Sequence, residues 1–190
     1  MIKVAICGGI GSGKSVVSSI LRELGAKVVI ADQVNAELLS DPDYISKVSN
    51  IFPTVVHNNT INKKELAKII YQDEGKRRAL MDLAHPLIFR KMLEAYPDEP
   101  IVFFEIPLMT EARIPFDRIW YLGADREMRI CRVMSRDGVD RAYAERILSL
   151  QGGECLLRDK ADVVIENDGD LASLRERVKA LYYSILRQFS

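Results

Sequence analysis

GGIGSGKS, residues 8–15, is the stretch that decides the fold of this chain. It fits a pattern of glycine, four variable residues, glycine, lysine, and then serine or threonine. In such a segment the glycines let successive backbone N–H groups converge on a polyphosphate, while Lys14 reaches the outer phosphates and the Ser15 hydroxyl can ligate Mg²⁺. We therefore predict that residues 8–15, hereafter the phosphate loop, bind a nucleotide.

The sequence on either side of the phosphate loop fits the strand and the helix that such a loop requires. Residues 2–7, IKVAIC, form a short and mostly apolar run that is typical of a buried parallel strand. Residues 14–24 carry apolar side chains at helical spacing, and Gly25 follows as a stop signal. An ordinary glycine turn would leave Lys14 and Ser15 unexplained, so the flanking sequence favours phosphate binding.

Composition and charge indicate a small-molecule partner. The chain has 190 residues, with 27 Lys plus Arg and 27 Asp plus Glu, so it suits one compact domain with smaller insertions. Balanced charge argues against an extended nucleic-acid or membrane-binding surface. No apolar run approaches the length of a membrane span. We expect no nucleic acid, no membrane and no obligate protein partner.

The cysteines indicate a reducing compartment. Cys7, Cys131 and Cys155 are odd in number and form no C-x-x-C pair, so neither a disulfide framework nor a zinc site is expected. The N-terminal segment passes from a strand into glycines without the apolar stretch of a signal peptide. We expect a cytoplasmic protein.

Five apolar runs predict the strands of a parallel α/β sheet flanked by helices. The runs cover residues 2–7, 27–31, 101–105, 118–122 and 161–165. Three of them contain the unalternating segments VVI at 28–30, IVFF at 101–104 and VVI at 163–165. Such segments indicate burial on both faces of the sheet.

The intervals between these strands predict helices. Residues 33–99 form a helical insertion, with helices expected at 63–71 and 75–96, the second broken near His85-Pro86, and with a loop around 53–62. Residues 126–157 are expected to form a lid of two helices that part at Asp137-Gly138, and an amphipathic helix at 171–189 closes the chain. The core domain then comprises residues 1–32, 100–125 and 158–190.

Asp32 is the candidate general base. In an open parallel sheet, ligands bind beyond the carboxyl ends of the strands, and Asp32 directly follows the run VVIA at 28–31. Near the phosphate loop, a carboxylate can orient an attacking hydroxyl and accept its proton. The other interpretation is that Asp32 caps the helix through Ala36 to Leu39. We favour the catalytic role, because strand-end placement and capping are compatible.

Glu105 is a candidate metal ligand. It ends the most hydrophobic strand, where an acid can hold Mg²⁺ directly or through water, and Pro107 follows two residues later. Structural hydrogen bonding explains Glu105 equally well, because Mg²⁺ is often held by few protein ligands.

Six arginines crowd the predicted lid, in an interval from Lys91 to Lys160 that holds no other lysine. Guanidinium groups on one helix face could close over triphosphate oxygens and stabilise transferring charge. Interleaved acidic residues favour a solvent-exposed face for the group as a whole, whereas we interpret Arg132 and Arg136 as functional. The six are Arg126, Arg129, Arg132, Arg136, Arg141 and Arg146.

His85 carries little information by itself. It precedes Pro86, which suits the first turn of a new helix, and a histidine at such a junction is more often structural than a ligand.

Taken together, these motifs resemble the dephospho-CoA kinase family along nearly the whole chain. The matching segments are, in chain order, GGIGSGKS at 8–15, Ala31-Asp32, His85-Pro86-Leu87-Ile88, Pro107-Leu108 followed by Glu111, Arg132, Arg136-Asp137, Arg146-Ile147, Gln151, and Ala161-Asp162 leading to Asn167. The resemblance implies a P-loop kinase with a helical acceptor-binding insertion and a helical lid. It implies ATP-dependent phosphorylation of the 3′-hydroxyl of dephospho-CoA, the last step of coenzyme A synthesis. We expect ATP as the co-substrate and Mg²⁺ as the cofactor.

The motifs and the resemblance together give expected roles to individual residues. Asp32, Lys14 and Arg136 are expected to be catalytic, Ser15 and Glu105 to face the metal, and a further set to bind ATP or the acceptor. The ATP set is Gly9, Gly11, Ser12, Gly13, Lys14, Ser15, Val16, Arg132, Arg136 and Asn167, and the acceptor set is Asp32, His85, Pro86, Leu108 and Glu111. The chain departs from the family pattern at Ile30, Val16 and Ala84, where Asp, Thr and Leu are usual.

Two alternatives stand beside this interpretation. Another small-molecule kinase of the same fold, such as a nucleotide or shikimate-type kinase, would differ in its acceptor. A nucleotide-dependent switch acting on a protein partner is less favoured, because a guanine-reading Asn-Lys-x-Asp segment is missing. The nearest match, Asn62-Lys63-Lys64-Glu65, ends in Glu and lies in the insertion.

Overall fold

Five parallel strands form the central sheet of the computed structural model, which describes residues 1–107, 115–150 and 154–188. The sheet order is β2-β5-β1-β6-β7, and the short strands β3 and β4 pair separately. This confirms the α/β class and the five-stranded parallel sheet predicted from the sequence. The strands are β1 (Ile2–Gly8), β2 (Lys27–Ile30), β3 (Val56–His57), β4 (Thr60–Ile61), β5 (Ile101–Glu105), β6 (Arg118–Gly123) and β7 (Val163–Glu166).

The central strand β1 is buried on both faces, as its unbroken apolar sequence predicts. Residues 4–7 are fully buried. In the ladders, Ile6 lies opposite Glu105 of β5, and Gly8 lies opposite Leu122 of β6. The phosphate loop therefore leaves the sheet at its carboxyl edge between the ends of two neighbouring strands.

Several strand boundaries differ from the prediction by one or two residues, as the end of β2 and the start of β7 illustrate. Ala31 is the first residue of a helix and does not extend β2. Residues 161–162 precede β7, because the carboxylate of Asp162 turns back and accepts a hydrogen bond from the backbone N–H of Ile119 at 2.7 Å. A side chain that occupies a backbone donor in this way ends the strand ladder early.

The chain divides into two compact units, Met1–Val29 with Tyr96–Ser190, hereafter the sheet unit, and Ile30–Ala95, hereafter the helical unit. Helices of the sheet unit are α1 (Lys14–Glu23), α6 (Arg126–Asp137), α7 (Arg141–Ser149), α8 (Glu154–Asp159) and α9 (Leu171–Gln188). Helices of the helical unit are α2 (Ala31–Leu38), α3 (Pro42–Ile51), α4 (Lys63–Gln72) and α5 (Glu74–Glu94), with a 3₁₀ turn at Pro53–Val55.

In the described residues, the predicted lid holds α6, α7 and the start of α8, where the sequence led us to expect two helices. Asp125 caps α6 by accepting hydrogen bonds from the N–H groups of Glu127 and Met128, and Gly138 ends that helix with φ of 65°. Asp140 then caps α7. The expected break at Asp137-Gly138 is therefore present. Residues 151–153 lie outside the described part of the chain.

The secondary structure of the helical unit differs from the prediction at two places. The predicted break at His85-Pro86 is wrong, because α5 runs through Pro86 without interruption. Proline removes one helical hydrogen bond, but buried side chains at Ala84, Ile88 and Met92 hold this face of α5 against its neighbours. The predicted loop at 53–62 contains the hairpin of β3 and β4.

No helix in the described residues is both long and apolar enough to cross a membrane.

Candidate active site

The phosphate loop joins β1 to α1 through two glycines in the left-handed region. Gly11 has φ of 77° and Gly13 has φ of 100°. Gly13 is the N-cap of α1 and makes no side-chain cap bond, and the first turn of α1 contains no acidic residue. A helix N-terminus of this kind presents backbone N–H groups and a positive dipole end to an anion.

Lys14 folds back over the phosphate loop. Its Nζ donates hydrogen bonds to the carbonyl oxygens of Gly8 at 2.7 Å and Gly9 at 3.1 Å. The ammonium group is thus held at the mouth of the loop. Burial raises the pKa of the adjacent Cys7 thiol to about 11, against an opposing effect of the Lys14 charge, so Cys7 stays a neutral packing residue.

Side chains from α6 and from the end of β7 hold the outer side of the phosphate loop. Arg129 Nε donates to the carbonyl of Ile10 at 2.8 Å, and Arg132 Nη1 donates to the carbonyl of Gly11 at 3.2 Å. Asn167, which is 6% exposed, donates through Nδ2 to the carbonyl of Ser12 at 2.8 Å. Arg132 Nη2 also donates to the carbonyl of Asn167 at 2.8 Å and links the two elements.

This close approach explains why glycine is needed at two positions of the loop. A Cβ on Gly11 would lie 2.7 Å from the carbonyl oxygen of Arg129, and one on Gly13 would collide with Nδ2 of Asn167. Both positions also have positive φ, where side chains are strained. The glycines of the motif therefore serve the packing of α6 and Asn167 as well as the turn itself.

Glu105 and Ser15 each offer a hard oxygen atom to a ligand. Ser15 is exposed in the first turn of α1, next to Val16, which is also exposed. Glu105 lies at the carboxyl end of β5, beside β1, and its Oε2 is buried without a hydrogen-bond partner in the described residues. A buried carboxylate oxygen without a donor is costly, so this atom calls for a cation or an ordered water.

Arg136 is paired with its neighbour in this structure. It makes two hydrogen bonds to the Asp137 carboxylate, and these hold the pKa of Asp137 below its ordinary value and raise that of Arg136. The structure thus brings Arg132 to the phosphate loop but leaves Arg136 directed to Asp137.

Two other lid arginines differ in whether they lie on a solvent-exposed face or contact the phosphate loop. Arg141 binds Glu127 and Glu145 on the surface, as a solvent-exposed face predicts. For Arg129 that interpretation is wrong, because its side chain reaches the phosphate loop. The i, i+3 spacing of Arg129 and Arg132 was the only sequence signal for this contact, and it does not identify the partner.

In the helical unit, Asp32 is the second residue of α2 and is exposed. Ile30 occupies the N-cap and makes no side-chain cap bond, so the interpretation of Asp32 as a helix cap is wrong. The Asp32 carboxylate has no hydrogen-bond or ion-pair partner within the residues that the structure describes. Its carboxylate is free to meet a ligand.

Two of the acceptor-side candidates lie on α5, which packs against α2 within the helical unit. His85 and Pro86 are in the middle of α5, and the His85 ring contacts the ring of Phe89 with centroids 5.8 Å apart. The sequence suggested that a new helix begins at His85-Pro86. That prediction is wrong, because both residues lie inside α5. Leu108 and Glu111 lie outside the described residues.

The central strand of the parallel sheet leads into a glycine-rich loop, a lysine and a helix N-terminus, which is the arrangement of a P-loop nucleotide-binding protein. The fold matches that of P-loop kinases, which are phosphotransferases. A family model described as Dephospho-CoA kinase matches residues 2–173. A relative, the dephospho-CoA kinase of Moorella thermoacetica, is 35% identical in an alignment of 202 residues. The alignment covers 100% of this chain and 95% of that protein. The chain belongs to the dephospho-CoA kinase family.

Solved structures support the fold. TT1252 from Thermus thermophilus superposes with a TM-score of 0.84 at 30% identity and covers 96% of this chain and 97% of its own. The dephospho-CoA kinase from Campylobacter jejuni, at 24% identity, has a TM-score of 0.71 over 96% of each chain and supports the fold alone. The protein is thus a kinase of coenzyme A biosynthesis, and neither a different acceptor class nor a protein-directed switch is favoured.

Proposed function

We propose that this enzyme transfers the γ-phosphoryl group of ATP to the 3′-hydroxyl of dephospho-CoA, with the phosphate loop holding ATP and Asp32 taking the hydroxyl proton. The observation that carries the proposal is the phosphate loop itself, where left-handed glycines, Lys14 Nζ and the uncapped start of α1 converge. Phosphoryl transfer needs little covalent help from a protein, so positioning and charge do most of the catalysis.

On the ATP side, the loop supplies the backbone donors and Lys14 supplies the charge. Lys14 must exchange the carbonyl oxygens of Gly8 and Gly9 for phosphate oxygens when ATP binds. This exchange replaces neutral acceptors by anionic ones and strengthens the hydrogen bonds. The proposed ATP-binding residues are Gly9, Gly11, Ser12, Gly13, Lys14, Ser15, Val16, Arg132, Arg136 and Asn167.

On the acceptor side, we propose that the Asp32 carboxylate accepts the proton of the attacking hydroxyl. Asp32 follows the end of β2 by two residues, and ligands of α/β folds bind beyond the carboxyl ends of the strands. No competing donor holds the carboxylate among the residues described, so it can accept a hydrogen bond from the acceptor hydroxyl. His85, Pro86, Leu108 and Glu111 are the other proposed acceptor-binding residues.

The side chains present fit Mg²⁺. Mg²⁺ prefers oxygen ligands and keeps several waters, so few protein ligands are needed, and the buried unpartnered Oε2 of Glu105 and the Ser15 hydroxyl have the right chemistry. When bound, the ion would neutralise charge on the phosphate oxygens. We propose Ser15 and Glu105 as its protein contacts.

We also place the reaction in the cytoplasm, where a buried free thiol such as Cys7 remains reduced.

An acceptor screen tests the proposal. The enzyme is incubated with Mg²⁺, ATP and one of three acceptors, dephospho-CoA, shikimate or deoxyadenosine, and the products are identified by mass spectrometry and ³¹P NMR. We expect a new phosphate on the 3′-oxygen of dephospho-CoA and none on the others. Lys14→Ala should abolish transfer while leaving the melting temperature nearly unchanged, because its side chain lies outside the apolar core. Efficient phosphorylation of shikimate or deoxyadenosine in place of dephospho-CoA would overturn the assignment.

A further inference from the structure

Three consecutive carbonyl groups of the phosphate loop are each held by a side chain from outside the loop. The carbonyls of Ile10, Gly11 and Ser12 accept hydrogen bonds from Arg129, Arg132 and Asn167, at 2.8, 3.2 and 2.8 Å. The donors come from α6 and from the residue that follows β7, more than a hundred residues away in the chain. A surface turn would leave these carbonyls to water.

These hydrogen bonds fix the direction of the N–H groups as well. In a trans peptide, the carbonyl of one residue and the N–H of the next point in opposite directions, and the described residues contain no cis peptide. Holding the three carbonyls against α6 and Asn167 therefore turns the N–H groups of residues 11–13 to the inner side of the loop. The N–H of Ser12 donates to the carbonyl of Gly9 at 3.2 Å and closes a turn, so the N–H groups of residues 11 and 13 are the ones presented to a phosphate.

We infer that Arg129 is a positioning residue, which acts with Arg132 and Asn167 to keep the backbone of the phosphate loop in its phosphate-binding conformation before ATP arrives. Arg129 does this in two ways: its Nε holds the carbonyl of Ile10, and its backbone packs against Gly11. A loop of glycines has many accessible conformations, so an ordered cradle must be held by its neighbours. Since this assignment rests on the proposed phosphate role of the loop, its test must examine both.

The inference distinguishes Arg129 from an arginine that touches ATP. Its Nε contact lies on the outer side of the loop, opposite to the N–H groups that face a phosphate. Losing that contact should weaken the binding of any polyphosphate, with or without an adenine ring. It should leave the affinity for dephospho-CoA unchanged.

The probe is inorganic tripolyphosphate, which occupies a phosphate cradle without using the adenine site. We would measure its inhibition constant against ATP, together with KM for ATP and for dephospho-CoA, in the full-length enzyme. Arg129→Met keeps much of the side chain's apolar length but removes every donor. It should raise the tripolyphosphate inhibition constant and KM for ATP about 10-fold, the usual scale for a hydrogen bond to a charged group, while KM for dephospho-CoA stays within about 2-fold.

Arg126→Met is the matched control. Arg126 lies on the same helix, is exposed, and has no hydrogen-bond or ion-pair partner among the described residues, so this variant makes the same charge change without touching the loop. It should leave all three constants unchanged. Arg129→Gln should give intermediate values, because the shorter amide keeps one donor. If Arg129→Met does not fold, Arg129→Gln decides, and wild-type values in that variant would overturn the inference.

Lys14→Ala separates failure of the inference from failure of the proposed loop function. If Lys14→Ala weakens tripolyphosphate binding and Arg129→Met does not, the loop binds phosphate and Arg129 does not position it. If neither variant changes tripolyphosphate binding, the loop assignment itself is wrong and the inference falls with it. An equal effect of Arg129→Met and Arg126→Met would show that α6 contributes only charge, which also contradicts a positioning role.

Discussion

Arg136 and Asp137 are neighbours in the chain and bind each other through two parallel hydrogen bonds, from Nε to Oδ1 at 2.7 Å and from Nη2 to Oδ2 at 2.8 Å. Asp137 is the last residue of α6, where a negative charge faces the negative end of the helix dipole. The pair offsets that unfavourable placement. It also means that Arg136 can reach a phosphate only by giving up Asp137.

Arg136→Ala should slow phosphoryl transfer more than it weakens ATP binding. A guanidinium that leaves Asp137 for the transferring phosphoryl group contributes most where negative charge develops, which is in the transition state. We therefore expect kcat to fall by on the order of 10²-fold, with the dissociation constant for ATP within a few-fold of wild type. Single-turnover rates and ATP titration measure the two effects. A loss of ATP affinity at unchanged saturated turnover would show that Arg136 only binds, and Arg126→Ala controls for charge on the same helix.

Gly13→Ala should weaken ATP binding by about 10- to 100-fold, because the methyl group strains the backbone and displaces Asn167. Gly25→Ala is a matched control: Gly25 also has positive φ, at 90°, but nothing lies within 4 Å of a Cβ there. We expect Gly25→Ala to lower the melting temperature by a few degrees and to leave ATP affinity unchanged. Isothermal titration of both variants with ATP tests the difference. Equal losses of affinity would show that backbone strain alone, and not the contact with Asn167, explains the glycine.

Much of this fold is predictable from the sequence because its signals are local. The phosphate loop, the strand before it and the helix after it occupy one continuous stretch, and the apolar runs of the other strands are equally compact. The Asn58-Asn59 pair, with φ of 49° and 56°, was also a local signal for the hairpin of β3 and β4, since asparagine tolerates positive φ in two-residue turns. That signal was missed.

The rest depends on contacts that no local pattern encodes. Pro86 predicts a helix break, but the packing of Ala84, Ile88 and Met92 overrides it. Arg129 reaches the carbonyl of Ile10 across 119 residues of sequence. A side-chain bond to a distant backbone carbonyl leaves no spacing or composition signature, so its partner emerged only when the fold placed α6 against the phosphate loop.

Asp41 makes the stability of the helical unit depend on pH. It caps α3, accepting hydrogen bonds from the N–H groups of Asp43 at 3.0 Å and Tyr44 at 3.3 Å, and it pairs with Lys91 at 3.4 Å. These contacts, led by the bond from Tyr44, hold the pKa of Asp41 below its ordinary value. A lowered folded-state pKa adds stability above the unfolded-state pKa near 4, and that stability is lost as the pH falls through the folded-state pKa.

Asp41→Ala should therefore lower the melting temperature by about 3 °C at pH 7, and its difference from wild type should shrink below about pH 4. Asp41→Asn keeps a neutral cap acceptor and should fall between the two at pH 7. Thermal unfolding followed by circular dichroism between pH 3 and pH 8 measures the series. A difference that grows toward acid pH would contradict this role of Asp41.

Asp32→Asn should abolish most turnover without affecting ATP binding. The substitution nearly preserves volume but removes the proton acceptor, so we expect kcat to fall by on the order of 10²-fold or more while ATP titrates normally. Since Ile30 and not Asp32 is the N-cap of α2, no cap bond is lost, and the melting temperature should change little. Glu37→Gln removes an equal charge from the exposed face of the same helix and should keep full activity. Turnover within about 3-fold of wild type in Asp32→Asn would remove Asp32 from the mechanism, because general acid–base help is worth far more than that.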